Sequence, residues 1–129
     1  MTGDGWKTED LQPRVVAGPP SYERTTDKPV RYVAVANDAG VLGYLWAADE
    51  DGAAGYEPRT AAGGDAFNAG VWWYQKLREQ KALDVLPSAA IAALAALPDG
   101  PRTGHVVPGS EGEAISLATL RELATADRP

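Results

Sequence analysis

The spacing of apolar residues along the chain changes from an alternating pattern to a helical one, which predicts a domain with both strands and helices. Two β-rich segments, 31–37 and 41–47, lie on either side of residues 38–40. Asn37 and Gly40 are residue types that favour tight turns. We therefore expect the two segments to form an antiparallel hairpin.

A bulge at Gly40 would set the register of this hairpin by pairing Asn37 with Val41. The other expected pairs are Ala36 with Leu42, Val35 with Gly43, Ala34 with Tyr44, Val33 with Leu45, and Tyr32 with Trp46. Both faces of the hairpin are then apolar, unlike those of a sheet with one face in water.

The two hairpin faces differ in their chemistry. One is aliphatic, and we expect its residues to pack against helices: Val33, Val35 and Leu45. The other is aromatic, with small alanines beside Tyr32, Tyr44 and Trp46. This aromatic face is either a second packed layer, an oligomer surface or a ligand platform.

A helix is predicted over residues 66–81, with Asp65 as its N-terminal cap. Its apolar face is expected to contain Ala66, Phe67, Gly70, Val71, Tyr74 and Leu77, with Trp73 at the edge. Trp72 falls on the polar face instead. Because tryptophan is a frequent interface anchor, Trp72 is a candidate binding residue unless another element covers it.

Two further helices are predicted, over 88–97 with Ser88 as its cap and over 117–125 with Ser116 as its cap. The segment 102–107 is either a third strand or coil. The predicted fold class is α+β. We expect a small two-layer domain with the antiparallel hairpin at its centre and three helices packed on it.

The chain is expected to divide into an N-terminal arm and one domain. Residues 1–28 are rich in proline and charge and show no periodic apolar pattern, which predicts a flexible or extended arm. Trp6 and Tyr22 are the only large anchors of this arm. Residues 29–126 are expected to form a single globular domain.

Residues 48–65 are predicted to form a long polar loop, and loops of this length are usually mobile or functional. Between Asp38 and Asp65, six acidic residues and one basic residue account for −5 of the net charge of −6. The candidate binding residues are acidic and aromatic side chains of the hairpin, this loop and the first helix: Tyr32, Tyr44, Trp46, Asp49, Glu50, Asp51, Tyr56 and Trp72.

The composition excludes several kinds of chemistry. With no cysteine and one histidine, the chain has no thiol nucleophile and no multi-histidine metal site. Residues 49–52 resemble the start of a calcium loop, but their glycine comes too early, and Thr60 stands where such a loop needs glutamate. We expect no catalytic residue, no metal ligand and no cofactor.

Length and charge narrow the class of protein further. A chain of 129 residues is long enough to bury the core of one domain, and a net charge of −6 argues against a nucleic-acid or anionic-membrane partner. No apolar segment is long enough to span a bilayer, and the signal-peptide pattern is absent, so we expect a cytoplasmic protein. The excess of alanine, and of arginine over lysine, is typical of bacterial genomes rich in G and C.

Two functions from different classes fit these observations. The first is a non-catalytic protein-binding module, whose acidic and aromatic surface would suit a basic protein partner. The alternative is a small-molecule-binding protein or small enzyme, with a pocket walled by Tyr32, Tyr44, Trp46 and Tyr56. Self-association through the aromatic face or the alanine-rich second helix would make the protein a homodimer.

Overall fold

The predicted hairpin forms the centre of an antiparallel sheet in the computed structural model, which describes residues 21–98 and 103–126. The elements in chain order are β1 (Val30–Asn37), β2 (Gly40–Ala48), β3 (Ala53–Pro58), α1 (Gly64–Ala82), α2 (Pro87–Ala95), β4 (His105–Val106), β5 (Gly112–Ala114) and α3 (Leu117–Thr125). Short 3-10 turns occupy 49–51 and 60–62.

The sheet confirms the α+β class. Its strand order is β3–β2–β1, and the edge of β1 that faces away from β2 pairs with both β4 and β5. Helices α1 and α2 pack on the aliphatic face of the hairpin, as expected. Helix α3 packs on the aromatic face and so adds a third layer to the two that the sequence predicted. Packing of α3 on that face is favourable because it removes the apolar surface of the large rings from water.

The hairpin register is as predicted from Tyr32–Trp46 through Val35–Gly43. It is wrong near the turn, where Ala36 pairs with Val41 and Asn37 with Gly40. The side-chain oxygen of Asn37 accepts a 2.9 Å hydrogen bond from the amide of Ala39, which tightens the turn. The bulge therefore falls at Leu42 instead of Gly40, and Leu42 is buried in the aliphatic core.

The prediction of a loop over 48–65 is wrong because this segment contains β3, which pairs with β2 along its whole length. Alanine and glycine dominate β3, so its own side chains have little β-propensity. The bulk is supplied by β2, since the ring of Trp46 lies against Gly55 and a Cβ added there would lie 2.8 Å from it.

The buried face of α1 also differs from the prediction. Phe67 and Val71 are 62% and 73% exposed, whereas Trp73 is buried in the aliphatic core. The indole nitrogen of Trp73 donates a 2.9 Å hydrogen bond to the carbonyl of Thr103, so its polar atom is satisfied on the inner side. Asp65 is not the cap, because α1 begins at Gly64, two residues before the predicted start, and Asp65 therefore lies in its first turn.

The last helix is confirmed as predicted. Helix α3 begins at Leu117, and the Ser116 hydroxyl accepts a 3.1 Å hydrogen bond from the amide of Thr119. Helix α2 spans Pro87–Ala95 rather than 88–97. Pro87 occupies its first turn, where a missing N–H costs nothing, so Ser88 lies inside the helix and is not its cap.

The segment 102–107 was predicted as either a third strand or coil, and its described residues 103–107 contribute the two residues of β4. Strand β5 was not predicted. Between them, Ser110 replaces the missing ladder bonds. Its hydroxyl accepts a 2.9 Å bond from the amide of Ala34 and donates a 2.6 Å bond to the carbonyl of Val107. The Ser110 side chain thus satisfies one backbone group of β1 and one of the segment between β4 and β5, where no strand pairs with β1.

Of the predicted arm, residues 1–20, including Trp6, lie outside the described residues. Tyr22 is buried, and its hydroxyl donates a 2.7 Å hydrogen bond to the carbonyl of Val85. Glu23 forms a parallel bridge with Ala53 at the start of β3. Residues 22–23 are therefore part of the fold and cover the first residues of the edge strand.

Replacing Gly43 with alanine should destabilise the protein by about 2 kcal/mol, measured as the free energy of unfolding in denaturant. The added Cβ would lie 2.6 Å from the Glu57 carbonyl oxygen and from the Tyr56 ring, so β2 and β3 would have to separate. Gly64→Ala is the matched control, because nothing lies within 4 Å of a Cβ there. Equal stability of the two variants would contradict this account of β3.

Candidate functional site

The aromatic candidates do not form one surface. Tyr44 and Trp46 are buried under α3, in the core on one face of the sheet. Tyr56 is buried in the core on the other face, against α1. Tyr32 is half-buried and meets the ring of Tyr44 edge-on, with 5.7 Å between the ring centroids. The four rings therefore cannot be the walls of one pocket.

Trp72, the anomalous aromatic of α1, is half-buried and packs against the aliphatic core. Its ring meets that of Trp73 edge-on, with 4.7 Å between centroids. The ammonium group of Lys76 lies 5.2 Å from the Trp72 ring centroid and covers part of its outer side.

Two of the three acidic candidates hold the fold together. The carboxylate of Asp49 accepts hydrogen bonds from the amide of Ser88 at 2.7 Å and from its hydroxyl at 2.6 Å. Asp49 thus caps the N-terminus of α2 from a distant part of the chain. Asp51 accepts a 2.6 Å bond from the Thr26 hydroxyl, and Glu50 is exposed.

Tyr56 makes hydrogen bonds within the protein through both its side-chain hydroxyl and its backbone carbonyl. Its hydroxyl donates a 3.1 Å hydrogen bond to the carbonyl of Ala66, and its own carbonyl accepts a 3.2 Å bond from the Tyr74 hydroxyl. Burial raises the pKa of Tyr56 well above its ordinary value. The phenol therefore stays protonated at neutral pH and donates its hydrogen bond to the Ala66 carbonyl.

Burial also raises the pKa of Tyr22, and the carboxylates of Asp84 and Asp49 add to this effect. For Tyr44, burial raises the pKa while the guanidinium of Arg59 opposes the rise. Neither shift brings a phenol towards neutral pH, where a general acid or base would work.

Two open grooves lie on the face of the sheet that α1 and α2 cover. The larger, which we call the α2 groove, has a volume of about 510 Å³ and runs between α2 and the β1–β5 edge. Its apolar lining consists mainly of Val33, Ala47, Ile91, Ala92 and Ala95. Arg31 and Glu113 pair at its rim, with 3.5 Å between Nε and Oε2.

The smaller groove, which we call the α1 groove, has a volume of about 360 Å³ and lies between α1 and the outer edge of β3. It is lined by Arg24, Tyr56, Pro58, Phe67, Gly70, Val71, Tyr74 and Arg78. The guanidinium carbon of Arg24 lies 4.1 Å from the centroid of the Tyr74 ring. Phe67, Val71, Tyr74 and Arg78 follow one another on one face of the helix.

Of the residues that line the α1 groove, only Tyr56 was a candidate from the sequence. Arg24 lies in the predicted arm, and Phe67 and Val71 were assigned to the core. Arg78 carries no distinguishing pattern. One signal was available: the apolar residues of α1 cover more of the helix surface than a single neighbouring layer can bury. Such a helix must leave part of its apolar surface in water.

Within residues 21–98 and 103–126, no group of three or more histidine or acidic side chains is placed to hold a metal ion. In the same ranges, no helix has the length and hydropathy needed to cross a membrane. The hydroxyl of Ser110, five residues after His105 in the sequence, makes hydrogen bonds with the backbone of Ala34 and Val107.

Replacing Asp49 with alanine should lower the free energy of unfolding by about 1 kcal/mol, because the N-terminus of α2 loses its cap. The matched control is Glu50→Ala, whose exposed side chain should change stability by less than about 0.5 kcal/mol. Chemical denaturation of both variants measures the difference. If Glu50→Ala proved as costly as Asp49→Ala, general loss of negative charge would explain the effect better than capping.

No family model, curated protein or solved structure matches this chain. Any function must therefore be inferred from the side chains and surfaces described above. Of these, the two grooves are concave surfaces with apolar lining that is open to a ligand or partner.

Proposed function

We propose that this chain is a non-catalytic protein-binding module, and that its binding surface is the α1 groove. The observation that carries the proposal is the exposure of Phe67 and Val71, at 62% and 73%. They lie one turn apart on α1 and border a concave surface. Adjacent exposed apolar side chains of this size, flanked by tyrosine and arginine, are typical of protein interfaces.

The rigidity of the groove also supports binding. Its floor consists of Tyr56 and Gly70, and the Tyr56 hydroxyl is tied to the α1 backbone. Tyr74, on its wall, is held by its bond to the Tyr56 carbonyl. Because these side chains are already ordered, a partner would lose little of its binding free energy in ordering them.

The acidic residues that favoured a basic partner are weaker candidates for the interface. Asp49 is bonded to Ser88, and Asp51 to Thr26. Glu57 lies on the α3 side of the sheet, where its Oε1 is 3.4 Å from Nε of Arg121. Binding a partner through these carboxylates would compete with contacts that stabilise the fold.

The proposal is tested with the double substitution of Phe67 and Val71 by serine. Both side chains are exposed, so the fold should keep its stability while the interface loses its apolar anchors. We expect proteins captured by the immobilised wild-type chain from the lysate of its source cells to be lost with the double variant. Label-free mass spectrometry of the eluates would quantify the loss.

The matched control is Ile115→Ser, because Ile115 is 81% exposed and lies outside the α1 groove. This variant should capture the same proteins as the wild type. Identical captured sets for all three baits, or equal losses from both variants, would contradict the proposal.

A second candidate function, the binding of a small apolar molecule, is favoured by the size of the α2 groove. Its volume of about 510 Å³ falls in the range of small-molecule pockets. The lining is mainly aliphatic, and of the four predicted aromatic walls it includes only Tyr32. Tyr44 and Trp46 lie in the core on the other face of the sheet.

Replacing Ala92 with tryptophan would fill this groove, because Ala92 is exposed and lines it. Compounds from an apolar fragment library that raise the melting temperature of the wild type should then have no effect on the variant. Ala93→Trp is the control, since Ala93 is exposed on the same helix but does not line the groove. Absence of any stabilising compound, or equal shifts in both variants, would exclude this function.

A further inference from the structure

We infer that the occupant of the α1 groove is an acidic segment of a partner protein that also carries apolar side chains. This inference rests on the proposed function, because it names the chemistry of the partner for the same surface. Three arguments support it. The groove is locally basic, the edge of β3 beside it cannot accept a further strand, and a second copy of the chain would bring like charges together.

The groove is a basic site in a chain whose net charge is −6. Its described lining contains Arg24 and Arg78 and no acidic residue. The guanidinium carbon of Arg24 lies over the Tyr74 ring, 4.1 Å from its centroid. A guanidinium in contact with an aromatic ring can still bind a carboxylate through its N–H groups. Arg78 lies one turn beyond Tyr74 on α1, so the two cations frame the wall that carries the apolar side chains.

The edge of β3 beside the groove is closed to an added strand. The amide of Arg59 donates to Leu42 on β2, so the alternation of the ladder turns residues 54, 56 and 58 outwards. The amide of Ala54 is bonded to the Glu23 carbonyl.

Each of the two remaining outward positions lacks one of the two backbone groups that an added strand would use. The carbonyl of Tyr56 is bonded to the Tyr74 hydroxyl, and Pro58 has no N–H. A partner therefore cannot build a regular backbone ladder on this edge. Its affinity has to come from side chains, which makes the charge and the apolar surface of the groove decisive.

A second copy of this chain is a poorer occupant. A two-fold contact through the groove would place the same surface on both sides of the interface. Arg24 and Arg78 of each copy would then approach those of the other, with no carboxylate from the lining to separate them. Like charges in an interface of this kind oppose association. An acidic partner instead gains from both guanidinium groups.

The experiment is a selection from a random peptide display library against the immobilised full chain, with the Phe67→Ser, Val71→Ser double variant as the counter-selection target. We expect the enriched peptides to combine aspartate or glutamate with aromatic or aliphatic residues. The dissociation constant of the best synthetic peptide is then measured by fluorescence anisotropy. Added salt should weaken its binding.

Replacing Arg24 and Arg78 together with alanine should weaken the binding of that peptide by about tenfold or more, because two charge-assisted contacts are lost. Changing the peptide's acidic residues to their amides should weaken wild-type binding to a similar extent. Arg31→Ala is the matched control, because Arg31 is an exposed arginine outside the α1 groove, and it should leave the affinity unchanged.

The outcomes separate this inference from the proposed function. Enrichment of neutral or basic peptides that need Phe67 and Val71, or acidic peptides that bind the Arg24, Arg78 variant equally well, would overturn the inference and leave the proposed function standing. No enrichment over the counter-selection target would overturn both. A dimer in sedimentation that the Phe67, Val71 variant abolishes would identify a second copy as the occupant and overturn the inference.

Discussion

The ring of Tyr56 between two glycines is the contact on which the rest of the structure depends. A Cβ at Gly43 would lie 2.6 Å from this ring, and one at Gly70 would lie 3.2 Å from it. A side chain at Gly43 would therefore collide with the ring, whereas one at Gly70 would need the ring to shift by a few tenths of an ångström. The Tyr56 hydroxyl then reaches the Ala66 carbonyl, which fixes α1 against the sheet. That placement turns Trp73 inwards and leaves the adjacent face of the helix, which carries Phe67 and Val71 beside the α1 groove, in water.

The same device recurs on the other face of the sheet. The Trp46 ring lies against Gly55, and the Tyr32 ring lies against Gly112 of β5. An aromatic ring over a cross-strand glycine covers a position that has no side chain of its own, which stabilises strands of low intrinsic propensity. The rings of the hairpin are therefore used to build the sheet. This explains why a face that resembles a ligand platform in the sequence is largely occupied by the protein's own packing.

Charge is distributed in a way that the overall value of −6 conceals. The acidic turn after β2 ties separate parts of the chain together, since Asp49 holds α2 and Asp51 holds the segment before β1. The open apolar groove carries arginines instead. A carboxylate that is already hydrogen-bonded within the fold has little to offer a partner, whereas a stacked guanidinium keeps donors free. The chemistry of the exposed groove, rather than the bulk charge, therefore indicates the kind of partner.

The sequence by itself determined the α+β class, the central hairpin with most of its register, and α3 with its Ser116 cap. These features depend on local alternation, turn residues and capping, which act over a few neighbouring positions. The tertiary structure alone decided that 53–58 is a strand, because its bulk comes from rings on β2. It also decided which side of α1 is buried. The apolar arc of α1 is too wide for periodicity to choose a side, and the choice fell to the contact between Tyr56 and Gly70. The candidate site followed from that choice, because α1 packs on the sheet through another face and leaves Phe67 and Val71 exposed beside the groove.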